Sequence, residues 1–370
     1  MRRAELDSIA LLERLSGRGH AQLAGRAASG IWAALKAFGA EGRPVLLPAN
    51  TCYIVLWATI EAGCLPRLVD VDPTSGCLSL ETLHRFEEEL PAAIIPCHLY
   101  GNPAPVSAIT RWARARGIAV IEDAALALGG TADGRPAGGW GDVSVYSFGL
   151  GKIIDVELGG AVLTDDPVLH AEISRLLGDA PLWNARLSEQ TQQWHDLYWA
   201  LHQYEQDNLA LVDLYQTLYR IYSGLVRYQL PASYWDDLPA ALRDLTDNLA
   251  HRAEIAAVYS EALEGVPLQR PILPEGSVPW RYSVRARPVT RNGLLRHLWE
   301  NGQHDVTRWY PWLEPMASVL APASATTPSP NAENWCASVL NLPVDSSVSP
   351  DAARQTGALI RHYFDAVSGD

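Results

Sequence analysis

The chain has almost no lysine. Of its 29 basic residues, only Lys36 and Lys152 are lysine, and all the others are arginine. Arginine can replace lysine as a surface cation, but its guanidinium keeps its proton and cannot attack a carbonyl group. A lysine that persists in a loop of this chain is therefore a candidate for chemistry that needs a primary amine. The alternative is survival by chance, which fits Lys36 better than Lys152.

Paired cysteines and long apolar stretches are also missing. The five cysteines, at positions 52, 64, 77, 97 and 336, are odd in number and form no Cys-x-x-Cys pair. This argues against a disulfide framework and against a zinc site, so we expect no metal. No stretch reaches the roughly 18 apolar residues of a membrane span, and residues 1–17 lack the apolar core of a signal peptide. We expect a cytoplasmic protein with no membrane partner.

The charge balance excludes another class of partner. The formal net charge of −13 repels a phosphate backbone, so nucleic acid is not an expected partner. A small anionic ligand can still bind, because local helix ends and arginines decide that binding. With 48% hydrophobic and 19% charged residues the composition is that of a globular protein. The length of 370 residues fits two domains, or one large domain with an appendage.

Short apolar runs alternate with helical patterns in the first half of the chain. Strands are predicted at 44–48, 68–71, 92–96, 118–121, 143–148 and 160–163. Helices are predicted at 18–40, 52–62, 79–89 and 106–116. Continuous apolar runs separated by helices are typical of a parallel sheet that is covered on both faces. Ligands of such sheets bind at the carboxyl ends of the strands, so residues just after each run are site candidates.

The second half has a different character. Eleven aromatic residues lie between Trp183 and Trp235 at helical spacing, which predicts two long amphipathic helices. These helices could pack as an arm on the body or on a second subunit, or they could form an apolar acceptor pocket or a surface for a partner. One more long helix is predicted at 238–264, and residues 265–370 alternate strands with helices. The composition of residues 321–330 indicates a flexible loop.

Four segments place polar or reactive residues at predicted strand ends or helix starts. Asp123 follows one strand, Ser147 and Lys152 follow another, and His98 follows a third. Ser29-Gly30 opens a helix whose free N–H groups could hold a phosphate. An enzyme that uses pyridoxal phosphate needs an amine, a carboxylate beside the pyridine nitrogen and phosphate donors. Each segment alone is weak evidence, but together and in this order they indicate such an enzyme.

Longer motifs carry a resemblance to a known family. They are PANT at 48–51, IPCHLYG at 95–101, IEDAA at 121–125, GGWGD at 138–142, YSF at 146–148, GK at 151–152, GGAVLT at 159–164, RWYP at 308–311 and VLNLP at 339–343. With these motifs the chain resembles the DegT/DnrJ/EryC1/StrS group of sugar aminotransferases. The resemblance covers residues 25–175 and resumes from 237 to the end.

The resemblance implies a fold and an assembly. The expected fold is that of a fold type I pyridoxal phosphate-dependent transferase, in the α/β class. Its large domain, residues 1–180, has a mostly parallel seven-stranded sheet covered by helices. Residues 181–236 are the helical insertion, and residues 237–370 form a linking helix and a smaller C-terminal α+β domain. Relatives imply a homodimer with the site at the subunit interface.

The resemblance also implies site residues. Lys152 would hold pyridoxal 5'-phosphate as a Schiff base and would move the proton of the substrate carbon. Asp123 would pair with the pyridine nitrogen. The phosphate would be held by Ser147 and by the backbone around Ser29, Gly30 and Ile31.

Some positions depart from the family pattern. Cys52 stands where relatives commonly have an aromatic ring that stacks on the cofactor, so Tyr53 or Trp32 could supply that face. Leu126, expected beside the cofactor, stands where relatives usually have glutamine. The family's Asn-x-Arg segment has no clear match, and His98 can be either a catalytic histidine or a core histidine.

These departures leave three hypotheses for function. In the first, an amino acid, expected to be glutamate, donates its amino group to a keto sugar or a related carbonyl compound in a biosynthetic pathway. In the second, the same cofactor supports elimination, decarboxylation or carbon–carbon bond formation on a less polar substrate derived from an amino acid. In the third, the protein binds or regulates without turnover, which Lys152 argues against.

Overall fold

The computed structural model describes residues 2–86, 89–203, 211–323 and 327–368. The strands of this part of the chain are β1 (His20–Ala24), β2 (Pro44–Pro48), β3 (Leu65–Val69), β4 (Ala93–Ile94), β5 (Ala119–Asp123), β6 (Thr131–Ala132), β7 (Arg135–Pro136), β8 (Val143–Ser147), β9 (Gly160–Thr164), β10 (Tyr282–Arg285) and β11 (Val339–Leu342). Seven of them form one sheet in the order β1-β9-β8-β5-β4-β2-β3.

The sheet is parallel except for one strand. The pairs β2–β3, β2–β4, β4–β5 and β5–β8 are parallel, whereas β9 is antiparallel to both β8 and β1. Consecutive residues are buried in β8 and in β9. Because successive side chains of a strand point to opposite faces, both faces of the sheet are covered there. The prediction of a mostly parallel seven-stranded sheet is confirmed.

Helices of the first half connect these strands. They are α1 (Arg3–Ser16), α2 (Ala27–Ala37), α3 (Tyr53–Glu61), α4 (Leu80–Leu83), α5 (Val106–Arg114) and α6 (Pro167–Gly178). Helix α2 lies very close to the sheet, because a Cβ atom added at Gly30 would be 2.5 Å from Cγ2 of Val162. A glycine at this position therefore allows the helix to approach β9.

Two predicted helices differ in the structure. The helix predicted at 18–40 is wrong at its start, because His20–Ala24 pairs with β9 as an antiparallel strand. Hydrogen bonding to a strand far away in sequence decides this conformation, whereas the local residues favour a helix. The helix predicted at 79–89 is reduced to α4 and a 3₁₀ turn at His84–Phe86. Glu87 and Glu88 lie outside the described residues.

The aromatic segment forms two helices, α7 (Ala185–Gln203) and α8 (Leu211–Ser223). They pack on α3 of the body. The ring of Trp57 lies 4.9 Å from that of Tyr222 and 6.0 Å from that of Tyr219. The hydroxyl of Tyr219 also donates a hydrogen bond of 2.7 Å to Glu61. The side chains of Tyr198, Trp199, Tyr204 and Tyr215 lie outside the described residues.

The last part of the chain adds a smaller α+β unit. Its helices are α9 (Leu238–Arg243), α10 (Leu245–Ala262), α11 (Pro288–Glu300), α12 (Glu314–Leu320), α13 (Pro330–Ser338) and α14 (Pro350–Ser368). The single helix predicted at 238–264 is interrupted at Asp244.

Strands β10 and β11 pair antiparallel. A second hydrophobic core, which includes Ile255, Tyr259, Val284 and Phe364, holds this unit together. The division into residues 1–180, 181–236 and 237–370 stays a prediction. Within the described ranges, no helix combines the length and apolar character needed to cross a lipid bilayer.

Candidate active site

A cavity of about 570 Å³ lies at the carboxyl ends of β2, β5 and β8. Each strand contributes a residue at or just beyond its end: Cys52 follows β2, Asp123 ends β5 and Ser147 ends β8. Lys152, five residues beyond Ser147, also lines the cavity. Parallel strands end at one edge of a sheet, and ligands of such folds bind there.

Lys152 is held in a loop by its backbone. Its N–H donates to the carbonyl of Gly149 at 3.1 Å, and its carbonyl accepts from Arg252 at 3.3 Å. The indole of Trp280 donates to the carbonyl of Gly151 at 2.8 Å. Burial lowers the pKa of Lys152 below its ordinary value, although Cys52 and Asp123 act in the opposite direction. The amine of Lys152 therefore loses its proton more easily than in water, and the neutral amine is the form that attacks carbonyl groups.

Asp123 occupies the last position of the central strand β5. Its N–H donates to the carbonyl of Pro96 at 2.9 Å, and its own carbonyl accepts from His98 N–H at 3.0 Å. The carboxylate accepts a hydrogen bond of 3.0 Å from the N–H of Ala125. Only 8% of the residue is exposed. A strand buried within the sheet thus fixes a carboxylate in the cavity that contains Lys152.

Cys52 lines the cavity and lies within electrostatic reach of three of its charged residues. Burial raises the pKa of its thiol to about 11, with smaller opposing effects of Lys152 and Arg26. Asp123 also acts on this thiol, so all three charged residues are within its electrostatic reach. Tyr53 lines the cavity beside Cys52, and its ring packs 4.6 Å from that of Trp57.

The residues predicted to hold a phosphate are only partly brought together. Ile31, Leu126 and Ser147 line the cavity, but Ser29 and Gly30 do not. The hydroxyl of Ser29 donates to the carbonyl of Val226 at 2.6 Å. Gly30 faces the sheet, as described above. Helix α2 begins at Ala27, two residues before Ser29, so its first residues rather than Ser29 and Gly30 lie at the cavity.

Those residues are Arg26, Ala27 and Ala28. Arg26 is the N-cap residue of α2. Its Nε donates a hydrogen bond of 2.8 Å to the hydroxyl of Tyr228. The guanidinium carbon lies 5.5 Å from the ring centre of Tyr222, 5.8 Å from that of Tyr228 and 6.0 Å from that of Trp194. An arginine surrounded by three aromatic rings is held in place by cation–π attraction and by packing.

Aromatic side chains form much of the remaining wall. Trp183, Trp194, Tyr222 and Tyr234 come from the segment 181–236, and Trp280, Trp309 and Tyr310 come from the C-terminal unit. The helical arm of the chain thus packs on its own body and also lines the cavity. Both interpretations of the aromatic segment have a counterpart in the structure.

A buried network lies behind Asp123. Glu122, fully buried, accepts hydrogen bonds from His98 at 2.8 Å and from the backbone of Gly138 at 2.7 Å, Trp140 at 2.7 Å and Gly141 at 3.0 Å. Burial would raise the pKa of Glu122, but these hydrogen bonds outweigh it and lower the pKa to about 2. The carboxylate is therefore ionised and holds the loop 138–141 against the end of β5.

His98 belongs to this network. Its Nε2 donates to Glu122, and its Nδ1 accepts a hydrogen bond of 3.0 Å from the N–H of Ala104. Both ring nitrogens are used within the fold, so the ring is a structural element and has no nitrogen left for a substrate. Of the two roles that the sequence left open for His98, the structure supports the one in the core.

The sequence does not signal Arg26 or the role of Glu122. Arg26 is one arginine among many, and its position at the end of an unpredicted strand hid it. Glu122 is part of the IEDAA motif, but the backbone donors that it binds belong to a loop 16 to 19 residues further along the chain. No local pattern signals such contacts.

Comparison with known proteins gives a consistent result. A model of the DegT/DnrJ/EryC1/StrS aminotransferase family matches residues 10–200 and 238–361. A dTDP-4-dehydro-2,3,6-trideoxy-D-glucose 4-aminotransferase from Saccharopolyspora spinosa is 27% identical over 324 residues, which are 85% of this chain and 76% of that protein. A GDP-perosamine synthase from Vibrio cholerae is 25% identical over 341 residues, 90% of this chain and 83% of that one.

Among solved structures, the aminotransferase TlmJ from Streptoalloteichus hindustanus is similar with a TM-score of 0.80. The similarity covers 100% of this chain and 92% of TlmJ, at 22% sequence identity. At this level of identity the likeness shows a shared fold.

Proposed function

Because the chain belongs to the DegT/DnrJ/EryC1/StrS aminotransferase family, we propose that it transfers an amino group from an amino acid to the carbonyl carbon of a keto sugar or a related compound. The proposal is supported above all by one observation: Lys152 and Asp123 line the same cavity and lie within electrostatic reach of each other. The similar proteins named for amino sugars support the class of acceptor. Glutamate is the proposed amino donor.

The residues of the cavity fit pyridoxal phosphate as the cofactor. When bound, this cofactor supplies an aldehyde that condenses with primary amines and a ring that withdraws electrons from the reacting carbon. Lys152 would hold it through the amine, Asp123 would hold the proton on the ring nitrogen, and the first turn of α2 would face the phosphate. Ser147, which also lines the cavity, would be a further donor to the phosphate. Cys52, Tyr53 and Leu126 would contact the ring.

Two features of the structure favour the proposed roles of Lys152 and Asp123. Burial keeps the amine of Lys152 neutral more easily than in water, so it can bind the cofactor and then accept and return a proton at the substrate carbon. The backbone bonds of Asp123 fix its carboxylate at the end of β5 before any ligand arrives. Aromatic walls from Trp194, Tyr222 and Trp309 would exclude water from the reacting groups.

The covalent attachment can be tested directly. The protein saturated with pyridoxal phosphate is reduced with borohydride, digested and mapped by mass spectrometry. We expect the label on Lys152. The matched control is Lys36, the other lysine of the chain, which is bound to Glu41 at 2.8 Å on the surface. Labelling of Lys36 alone, or retention of the label in Lys152→Ala, would exclude the proposed site.

The reaction type needs a second experiment. The cofactor-loaded protein is incubated with glutamate and with a panel of other amino acids, and the products are identified by mass spectrometry. Transamination predicts the aminated cofactor together with the 2-oxo acid of the donor. Release of carbon dioxide or of an eliminated group would instead indicate decarboxylation or elimination. The apolar side chain of Leu126 in the cavity wall suits the less polar substrates of such reactions. We expect Asp123→Asn to slow the transfer roughly a hundredfold or more.

The assembly also belongs to this proposal. We expect a homodimer in which the site lies near the subunit interface, as the resemblance implies. Light scattering of the purified protein would measure the molar mass, and a value near the chain mass of 40.4 kDa would exclude the dimer.

A further inference from the structure

Arg26 forms no ion pair within the part of the chain that the structure describes. Its Nε donates to the hydroxyl of Tyr228 at 2.8 Å, and the hydroxyl of Tyr222 is a second polar neighbour. Nη2 is buried and has no hydrogen-bond acceptor among the residues that the structure describes. No carboxylate of the described part of the chain forms an ion pair with this arginine. Glu157 lines the same cavity but is exposed and is not bound to Arg26.

An unpaired cation in such a place is costly. A charge that is largely removed from water needs an opposite charge or a full set of hydrogen-bond partners. Three aromatic rings surround Arg26, and rings offer only weak compensation compared with an anion. Since the residue lines the cavity, a ligand that enters the cavity can supply the missing negative charge.

The surroundings favour a phosphate group as that ligand. The first N–H groups of a helix have no acceptor inside the helix, and Ala27 and Ala28 in the first turn of α2 also line the cavity. Two independent features that bind anions, a guanidinium and a helix N-terminus, therefore meet at one wall. A tetrahedral dianion accepts from both at once, and arginine matches the geometry of phosphate oxygens.

The position of Cys52 connects this wall to the reactive residues. Its thiol lies within electrostatic reach of Arg26 and also of Lys152 and Asp123. A ligand anchored at Arg26 by a phosphate would share one cavity with the amine of Lys152 and the carboxylate of Asp123. Pyridoxal phosphate has this arrangement of groups, with its phosphate ester beyond the ring.

We propose that Arg26, held by Tyr228 and Tyr222 and assisted by the first turn of α2, binds the phosphate group of the cofactor. This inference rests on the proposed function and deepens it. It assigns the binding of the phosphate to the side chain of Arg26, whereas the sequence predicted the backbone around Ser29 and Gly30 for this role. It also gives the aromatic arm a role, since Tyr222, Tyr228 and Trp194 all belong to residues 181–236.

The experiment compares pyridoxal phosphate with pyridoxal, which lacks the phosphate. Dissociation constants of both are measured by equilibrium dialysis for the natural protein, Arg26→Met, Arg26→Lys and Arg227→Met. Arg227 is the matched control, because its guanidinium lies 5.2 Å from the ring centre of Trp32 and it is exposed outside the cavity. The thermal midpoint of each cofactor-free protein is measured with and without inorganic phosphate.

We expect Arg26→Met to weaken binding of pyridoxal phosphate about 10- to 100-fold, because charge-assisted hydrogen bonds are lost. Its affinity for pyridoxal should stay unchanged, and Arg26→Lys should restore part of the loss. Inorganic phosphate should raise the thermal midpoint of the natural protein and of Arg227→Met but not of Arg26→Met.

Three results would overturn the inference. One is an equal loss of affinity for both ligands in Arg26→Met, which would indicate a structural role. Another is an unchanged affinity for both. The third is a thermal midpoint of Arg26→Met that inorganic phosphate raises as much as it raises that of the natural protein. If the natural protein binds neither cofactor form, the proposed function itself fails, so the two failures are distinguishable.

Discussion

Glu122 offers a sharp test of the reasoning about buried charge. Its fully buried carboxylate accepts hydrogen bonds from His98 and from the backbone of Gly138, Trp140 and Gly141. In Glu122→Gln, one carboxylate oxygen becomes an NH₂ group of almost the same size. That group then faces N–H groups, so donors meet donors while the packing stays nearly the same.

The magnitude follows from the pKa of Glu122. Its lowering from 4.5 to about 2 corresponds to about 3 kcal/mol in favour of the ionised folded state. Because folding lowers the pKa, this stabilisation is fully present above the ordinary value of 4.5. It is lost as the pH falls from there towards about 2. We expect Glu122→Gln to lose about 3 kcal/mol at neutral pH.

The assay is urea unfolding, followed by circular dichroism, from pH 7 down towards pH 3. The natural protein should lose stability steeply below about pH 5, whereas Glu122→Gln should show a shallower slope. Glu172→Gln is the control, since Glu172 forms an exposed ion pair of 2.7 Å with Arg175. Its effect should stay within about 0.5 kcal/mol.

Equal pH slopes in the natural protein and the variant would refute this account, and so would a loss below about 1 kcal/mol at pH 7. If Glu122→Gln does not fold, the acid sensitivity of the natural protein still provides a test. Its stability must then fall in the range where a carboxyl group with a lowered pKa gains its proton.

Further predictions concern the cavity and the packing of α2. Burial lowers the pKa of Lys152 in the fold. At a pH below the ordinary pKa of lysine, the protonated amine therefore destabilises the cofactor-free protein. Lys152→Met should raise the thermal midpoint at pH 7, and this gain should shrink as the pH rises. Because the pKa of the Cys52 thiol is raised to about 11, Cys52 should react with iodoacetamide at pH 8 on the order of a hundredfold more slowly than in the unfolded chain. The labelling rate is measured by mass mapping, and a rate equal to that of the unfolded chain would contradict the prediction. Gly30→Ala should lower the urea midpoint by an amount equivalent to about 1–2 kcal/mol, because the new Cβ contacts Val162 at 2.5 Å. Gly178→Ala, with open space around its Cβ position, should lose nothing.

The local sequence was sufficient for much of the fold. Runs at 44–48, 118–121 and 143–148 became buried strands of one sheet, because mostly apolar runs are stable only when both faces of the sheet are covered. The polar residues after two of those runs, Asp123 and Lys152, therefore had to meet at one edge of the sheet. The scarcity of lysine made Lys152 conspicuous, and the ordered motifs indicated the family.

Some contacts depend on residues that are distant in sequence, and these the chain did not reveal. His20–Ala24 is a strand because β9 offers it hydrogen bonds, although alanine, glutamine and leucine favour a helix. That strand moves the start of α2 to Ala27 and brings Arg26 to the cavity, where Ser29 and Gly30 had been expected.

Sequence by itself thus determined which groups could do chemistry and the order in which the strands carry them. Tertiary structure decided what surrounds those groups: the aromatic arm around Arg26, and the loop donors around Glu122. The physical reason is that propensity and apolar periodicity act over a few residues. The burial of a charge depends on which distant segments approach it, and only the folded chain sets that distance.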